Sequence, residues 1–176
     1  MEDYPINHPH SSLTAPVLSK YAQPCFIETG SNTGCGVAIA LRCGISEIHS
    51  IEYLPKFFDA CVKRYSSNRN VHLYLGSSGD VLLTLVPTLT QRSVFYLDAH
   101  GYYFNPLLDE LKAIALSPIK DHTIMIDDVR MFGSAVWNNI QQEQAMDLLM
   151  QINPNYKIAY EDSVDFTRDI LVAYID

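Results

Sequence analysis

Residues 25–36 read Cys25-Phe26-Ile27-Glu28-Thr29-Gly30-Ser31-Asn32-Thr33-Gly34-Cys35-Gly36. A short apolar run ends in an acid and passes through a loop with glycines at 30, 34 and 36. It then opens onto Val37–Arg42, which is apolar on all sides and stops at Gly44. A glycine just past the last helical residue takes left-handed dihedrals without a Cβ clash, so it stops a helix. The stretch is therefore a strand, a tight loop and a helix, the opening unit of an alternating α/β chain.

Downstream residues repeat the unit. Strands are expected at Glu47–Glu52, Val71–Leu75, Val94–Leu97 and Thr123–Ile126. Helices are expected at Pro55–Tyr65, Asp80–Leu85, Pro106–Leu116 and Asn138–Ile152. The first has proline in its opening turn, with Phe58, Ala60, Cys61 and Val62 among its inner residues; the third points Leu107, Leu108, Leu111, Ile114 and Ala115 inward. Two closing strand-like runs, Tyr156–Tyr160 and Ile170–Ile175, have no helix between them, and a short link permits only an antiparallel pair. The expectation is an α/β three-layer sandwich: a doubly wound, seven-stranded, mostly parallel sheet with a C-terminal antiparallel hairpin. Residues 1–24 hold four of the nine prolines and read as an irregular lead-in with one short helix around Ala15–Tyr21. Residues 25–176 form one domain, and 176 residues suffice for one core but not two.

The net charge of −8 comes without any Lys/Arg cluster, so no basic footprint exists for nucleic acid or an anionic membrane. The four cysteines, Cys25, Cys35, Cys43 and Cys61, form no Cys-x-x-Cys pair and have apolar neighbours, which fits buried free thiols rather than a disulfide framework or a zinc site. The acidic, proline-containing start is unlike a signal peptide, and no apolar run approaches the ~20 residues that cross a bilayer. A cytoplasmic location is expected.

Acids fall where such sheets bind ligands, at the carboxyl ends of the strands. Glu28 follows the first, Glu52 the second, Asp98 the fourth, and Asp127 and Asp128 the fifth. The glycine spacing, Gly-x-x-x-Gly-x-Gly, lacks the Gly-x-Gly-x-x-Gly that holds a pyrophosphate, and the leading Glu28 would repel a phosphate. It suits a cationic ligand. Glu52, 24 residues after Glu28, is placed to accept hydrogen bonds from ribose hydroxyls.

Glu28–Gly36 followed by Ile51-Glu52 resembles the first two motifs of the class I S-adenosylmethionine-dependent methyltransferases, and the resemblance covers about residues 25–176. It implies S-adenosylmethionine as cofactor, bound by Glu28, Thr29, Gly30, Ser31, Asn32, Thr33, Gly34, Gly36, Glu52, Tyr53, Gly76, Ser77, Ser78 and Asp98. Tyr96-Leu97-Asp98-Ala99-His100 and Met125-Ile126-Asp127-Asp128 resemble the metal-assisted sugar and small-molecule O-methyltransferases, which implies magnesium on Asp98, Asp127 and Asp128 and O-methylation of a small molecule or sugar. His100 is the candidate general base, with Asp98 as the alternative through the metal. Members of the family often carry an acid just after strand three; this chain has Ser77, with Asp80 nearby. No inserted cap is visible, so the acceptor wall must come from residues 1–24, Gly101–Asn105 and Val129–Trp137, or from a partner subunit in a homo-oligomer.

Plainer readings compete at each position. Asp98 can cap a turn and His100 lie on the surface. Asp128 can cap the following turn while Asp127 faces solvent. Tyr102, Tyr103, Phe104, Phe132 and Trp137 are candidates for the acceptor pocket, although aromatics are more often core. His8, His10, His49, His72 and His122 receive no role. Two rival functions use the same cofactor: a binding module without catalysis, and an enzyme transferring a group other than methyl.

Overall fold

A computed structural model describes residues 11–101 and 104–176. Tyr102, Tyr103, His8 and His10 lie outside the described residues. The elements alternate from β1 (Cys25–Thr29) through α2 (Cys35–Arg42), β2 (Glu47–Glu52), α3 (Pro55–Tyr65), β3 (Val71–Leu75), α4 (Ser78–Leu85) and β4 (Ser93–Leu97) to α5 (Leu107–Ile114), β5 (Thr123–Ile126) and α6 (Gln142–Ile152). The chain closes with β6 (Lys157–Glu161) and β7 (Ile170–Tyr174), and α1 (Ala15–Lys20) precedes β1. Thr14 caps α1 by accepting the Val17 N–H, and Pro16 stands in its first turn.

The sheet has seven strands in the order β3-β2-β1-β4-β5-β7-β6. β7 alone runs antiparallel, to both β5 and β6, so the short β6–β7 link inserts a reversed strand between parallel ones. Chain order reverses between β1 and β4, and that switch point opens a crevice beyond their carboxyl ends. β1, β4 and β5 are buried at every position because helices cover both faces. Ile27, Phe95, Leu97, Leu111 and Ile124 form the core on the α4–α5–α6 side; Phe26, Val37, Ile48, Val94 and Tyr96 form it on the α1–α2–α3 side. Each such side chain contributes roughly 1.5–3 kcal/mol by leaving water.

Three expectations change in detail. The inner face of α3 is Phe57, Cys61 and Tyr65, a single i, i+4, i+8 stripe, whereas Ala60 is exposed and Phe58 and Val62 are half-buried. The helix expected from Asn138 starts only at Gln142, because Asn138 and Asn139 adopt left-handed dihedrals after a 3-10 turn at Ala135–Trp137. On α5, Glu110 and Ala113 are buried and Leu108 and Ala115 only half-buried. Cys25, Cys43 and Cys61 are free thiols; Cys25 and Cys61 are buried, Cys35 and Cys43 intermediate.

Candidate functional site

The loop after β1 is shaped by left-handed residues: Gly30 (φ 81°), Asn32 (φ 46°) and Gly34 (φ 79°). The Gly30 and Ser31 N–H groups donate to the Ile51 carbonyl at 2.9 and 3.2 Å, which folds the loop back over the end of β2. A Cβ on Gly30 would stand 2.7 Å from the Asp98 carbonyl, and one on Gly34 would stand 2.5 Å from the Tyr65 ring. Glycine at both positions therefore lets β4 and α3 close on the loop.

The loop forms one wall of a cleft of about 820 Å³ at the switch point, within the range of ligand sites. Gly30, Asn32, Glu52, Tyr53, Gly76, Ser77, Ser78, Asp98 and His100 line it. Asp80 lines it as well, beside Ser77. Glu52 is 6% exposed, and its two carboxylate oxygens accept the Asn32 and Leu54 N–H groups at 2.8 Å each. Burial raises its pKa, opposed by those backbone donors. With the Tyr53 N–H as a third backbone donor, the carboxylate's four lone-pair sites still leave one for a hydroxyl.

Other predicted cofactor residues build the loop without lining the cleft. Glu28 lies beneath it, 2% exposed, accepting the Ser50 hydroxyl at 2.6 Å, and Ser31 meets the same hydroxyl at 2.5 Å. Burial pushes the Glu28 carboxyl up to about 8 despite the Ser50 bond. A Cβ on Gly36 would overlap that carboxylate. Thr29 is buried and its hydroxyl accepts the Asp98 N–H at 3.3 Å. The Thr33 carbonyl accepts from Arg64 at 3.0 Å.

Beyond β4 and β5 the acids form two groups that share Asp128. Asp98, His100 and Asp128 bring one ligating atom each within 4.8 Å of one another, and so do Asp127, Asp128 and Asp169. His100 Nε2 stands 3.0 Å from Asp128 Oδ2 and 3.9 Å from Asp98 Oδ1. Arg130 reaches Asp128 Oδ1 at 2.7 Å, pairs with Asp169 and lies over the Phe166 ring at 4.0 Å. Burial would raise Asp128, yet His100 and Arg130 outweigh it and hold its carboxyl below the ordinary value. Asp98 goes the other way: burial and then the charges of Asp127 and Asp128 hold it well above the ordinary value. Asp127 is 1% exposed rather than solvent-facing, with Oδ2 accepting the Tyr96 hydroxyl at 2.8 Å. Asp128 makes no side-chain cap to the turn that follows.

The expected magnesium trio of Asp98, Asp127 and Asp128 is therefore spread over two groups that share Asp128. Asp128 Oδ2 faces His100 and its Oδ1 faces Arg130, so the remaining donors are Asp98 and an imidazole. Magnesium prefers ionised oxygen ligands in an octahedron, so the residues as placed do not fit it.

Of the aromatic candidates, Phe104 stands 53% exposed at the cleft rim, while Trp137 is 3% exposed and packs edge-on against Phe132. His122, given no role, is a core group between the Ser93 N–H and the Ser117 hydroxyl, lowered to about 4 by burial. Arg130, Asp169 and Glu110 are additional polar residues of this region. Glu110 was detectable in principle, because it lies three residues after Leu107 and four before Ile114, on the inner stripe of α5.

This architecture is the class I S-adenosylmethionine-dependent methyltransferase fold. Methyltransferase PaMTH1 of Podospora anserina, solved with S-adenosylhomocysteine, superposes with TM-score 0.62 at 16% identity over 92% of this chain and 76% of its own. An O-methyltransferase from Bacillus cereus, also with S-adenosylhomocysteine, gives 0.65 at 13% over 97% and 84%. The O-methyltransferase TomG of Streptomyces achromogenes, with S-adenosylmethionine, gives 0.65 at 13% over 93% and 78%. No family model matches the sequence. No curated protein matches it either.

Proposed function

We propose that this protein transfers the methyl group of S-adenosylmethionine to a hydroxyl of a small molecule or sugar. The observation that carries the reading is one cleft holding both a buried ribose-type acceptor, Glu52, and a carboxylate-paired histidine, His100 with Asp128. The bound neighbours named above support the cofactor, and the O-methyltransferases among them support the oxygen acceptor.

The sulfonium is already an activated leaving group, so the protein's task is to align acceptor, methyl and sulfur and to take one proton. As the C–O bond forms, the C–S bond breaks and sulfur keeps the electron pair as a thioether. His100 Nε2 donates to Asp128, which fixes the tautomer and leaves Nδ1 to take the hydroxyl proton. Asp128 then faces an imidazolium, as the carboxylate does in a hydrolase triad. No step is routed through a metal. Exposed Tyr53 and Phe104 on the cleft rim offer the acceptor apolar surface, and a second copy in a homo-oligomer would complete the wall. Free thiols suit a reducing, cytoplasmic setting. Among the described residues, no helix is long and apolar enough to cross a membrane.

Calorimetry with S-adenosylmethionine tests the cofactor. Glu52→Ala removes a charged acceptor from the cleft and is expected to weaken binding about tenfold or more, from ~1.5–3 kcal/mol per charged hydrogen bond. Equal binding by parent and variant removes the assignment. Label transfer from methyl-labelled cofactor to a hydroxyl library tests the reaction; tight binding with no transfer to any acceptor marks a binding module.

A further inference from the structure

Behind the cleft wall formed by Asp98 and His100 lies a second, much smaller cavity of about 10 Å³. Glu110, Asp127 and Trp137 line it. Each contributes a buried polar atom with no hydrogen-bond partner: Glu110 Oε1, Asp127 Oδ1 and Trp137 Nε1. The three residues are 1%, 1% and 3% exposed. An unpaired buried polar atom costs about 1–3 kcal/mol, so three at one spot call for a common partner.

We propose that one ordered water occupies this cavity and that Glu110, through it, is a positioning residue for the acid centre. The chemistry selects water. Two of the orphaned atoms are carboxylate acceptors and the third is an indole donor. A water donates twice and accepts once, satisfying all three, and about three such bonds are usual for an enclosed water. A metal ion or ammonium has no lone pair for the indole N–H. Among the described residues, no group of three ligating atoms within 4.8 Å includes Glu110. The volume admits one water and little else.

The water joins α5 to the acid centre. Asp127, on its far side, brings one carboxylate oxygen within 4.8 Å of Asp128 and Asp169, and its Oδ2 accepts the Tyr96 hydroxyl. The chain Glu110–water–Asp127 therefore runs behind the cleft wall to the acids that follow β5. Removing Glu110 releases Asp127 Oδ1 and with it the orientation of that carboxyl. The role extends the proposed function but stands on buried geometry alone, so its test needs no turnover.

Trp137 is the sole tryptophan, so one indole resonance reports on the cavity. With indole-15N label, the parent is expected to show a cross-peak from that N–H to a bound water. Glu110→Leu should lose it. Glu110→Gln, whose amide carbonyl still accepts from the water, should keep it. Absence of the cross-peak in the parent, or its survival in Glu110→Leu, overturns the proposal. Should Glu110→Leu fail to fold, Trp137→Phe removes only the donor edge of a packed ring. Its Asp127 carboxyl 13C resonance is expected to shift, and an unmoved resonance overturns the positioning role. A crystal structure with a dry cavity also overturns the proposal, whatever calorimetry says about the cofactor.

Discussion

Glu28 and Gly36 are built against each other: the carboxylate of β1 occupies the space that a side chain on the first turn of α2 would fill. Glu28 cannot swing clear, because it is 2% exposed and held by Ser50. Gly36→Ala is therefore expected to destabilise the fold by roughly 1–3 kcal/mol, the usual cost of overpacking. Chemical denaturation of Gly36→Ala, Glu28→Ser and the double variant checks this. Strong non-additivity, with Glu28→Ser relieving the alanine, is the expected result. Simple addition means that the two side chains do not compete for space.

The same burial makes stability depend on pH. Glu28 is pushed by burial from an ordinary 4.5 up to about 8, so the folded state binds its proton more tightly than the unfolded chain. That contribution is fully present below 4.5 and is lost as pH rises to about 8, at no more than ~1.4 kcal/mol per pH unit. Glu110, raised by burial to about 7, acts in the same direction. Between pH 5 and 8 the parent should lose stability relative to Glu28→Gln, with the two nearly equal at the acid end. A parent that gains on Glu28→Gln across this window contradicts the buried, proton-binding state.

The strand ends, the loop and the hairpin were legible because each rests on local signals: apolar runs closed by acids, glycines at left-handed positions, and too short a link for a crossover. What was not legible depends on rotation about an axis or on partners distant in sequence. Phe57 rather than Phe58 faces inward because helix phase is set by packing. Glu110 stands among leucines and reads as a solvated acid until its i+3 relation to Leu107 is weighed. Glu28 was read as facing the ligand, but β1 alternates, and its position shares the Phe26 face under α2. The Asp127-Asp128 pair suggested one metal. In space Asp127 and Asp128 stay grouped with Asp169 while Asp128 is also shared with Asp98 and His100, and Arg130 and Asp169 join from segments that carry no motif.

The pairing of Asp128 makes a prediction about metal. Both oxygens of Asp128 are engaged, by His100 and by Arg130, and Arg130 also ties down Asp169. Manganese titration of the parent, followed by calorimetry or water proton relaxation, should show no saturable binding. Arg130→Gln frees acidic oxygens of Asp128 and Asp169, and saturable binding should then appear. A parent that binds manganese stoichiometrically, and loses it on Asp128→Asn, restores the metal-assisted route.

His100 carries the chemical step in the proposed reaction, and its effect should separate from cofactor binding. Its Nε2 is committed to Asp128, so the only nitrogen left to accept a proton is Nδ1. His100→Ala should lower kcat by about 10²–10⁴, the range for loss of a positioned base. The Glu52 side of the cleft is untouched, so S-adenosylhomocysteine should still bind with near-parental affinity. Asp128→Asn should lower kcat less, since the imidazole remains while its tautomer is no longer fixed by a carboxylate. Turnover unchanged in both variants would mean that another group takes the proton. Loss of homocysteine-product binding in His100→Ala, with kcat at saturation preserved, would move the residue from chemistry to binding.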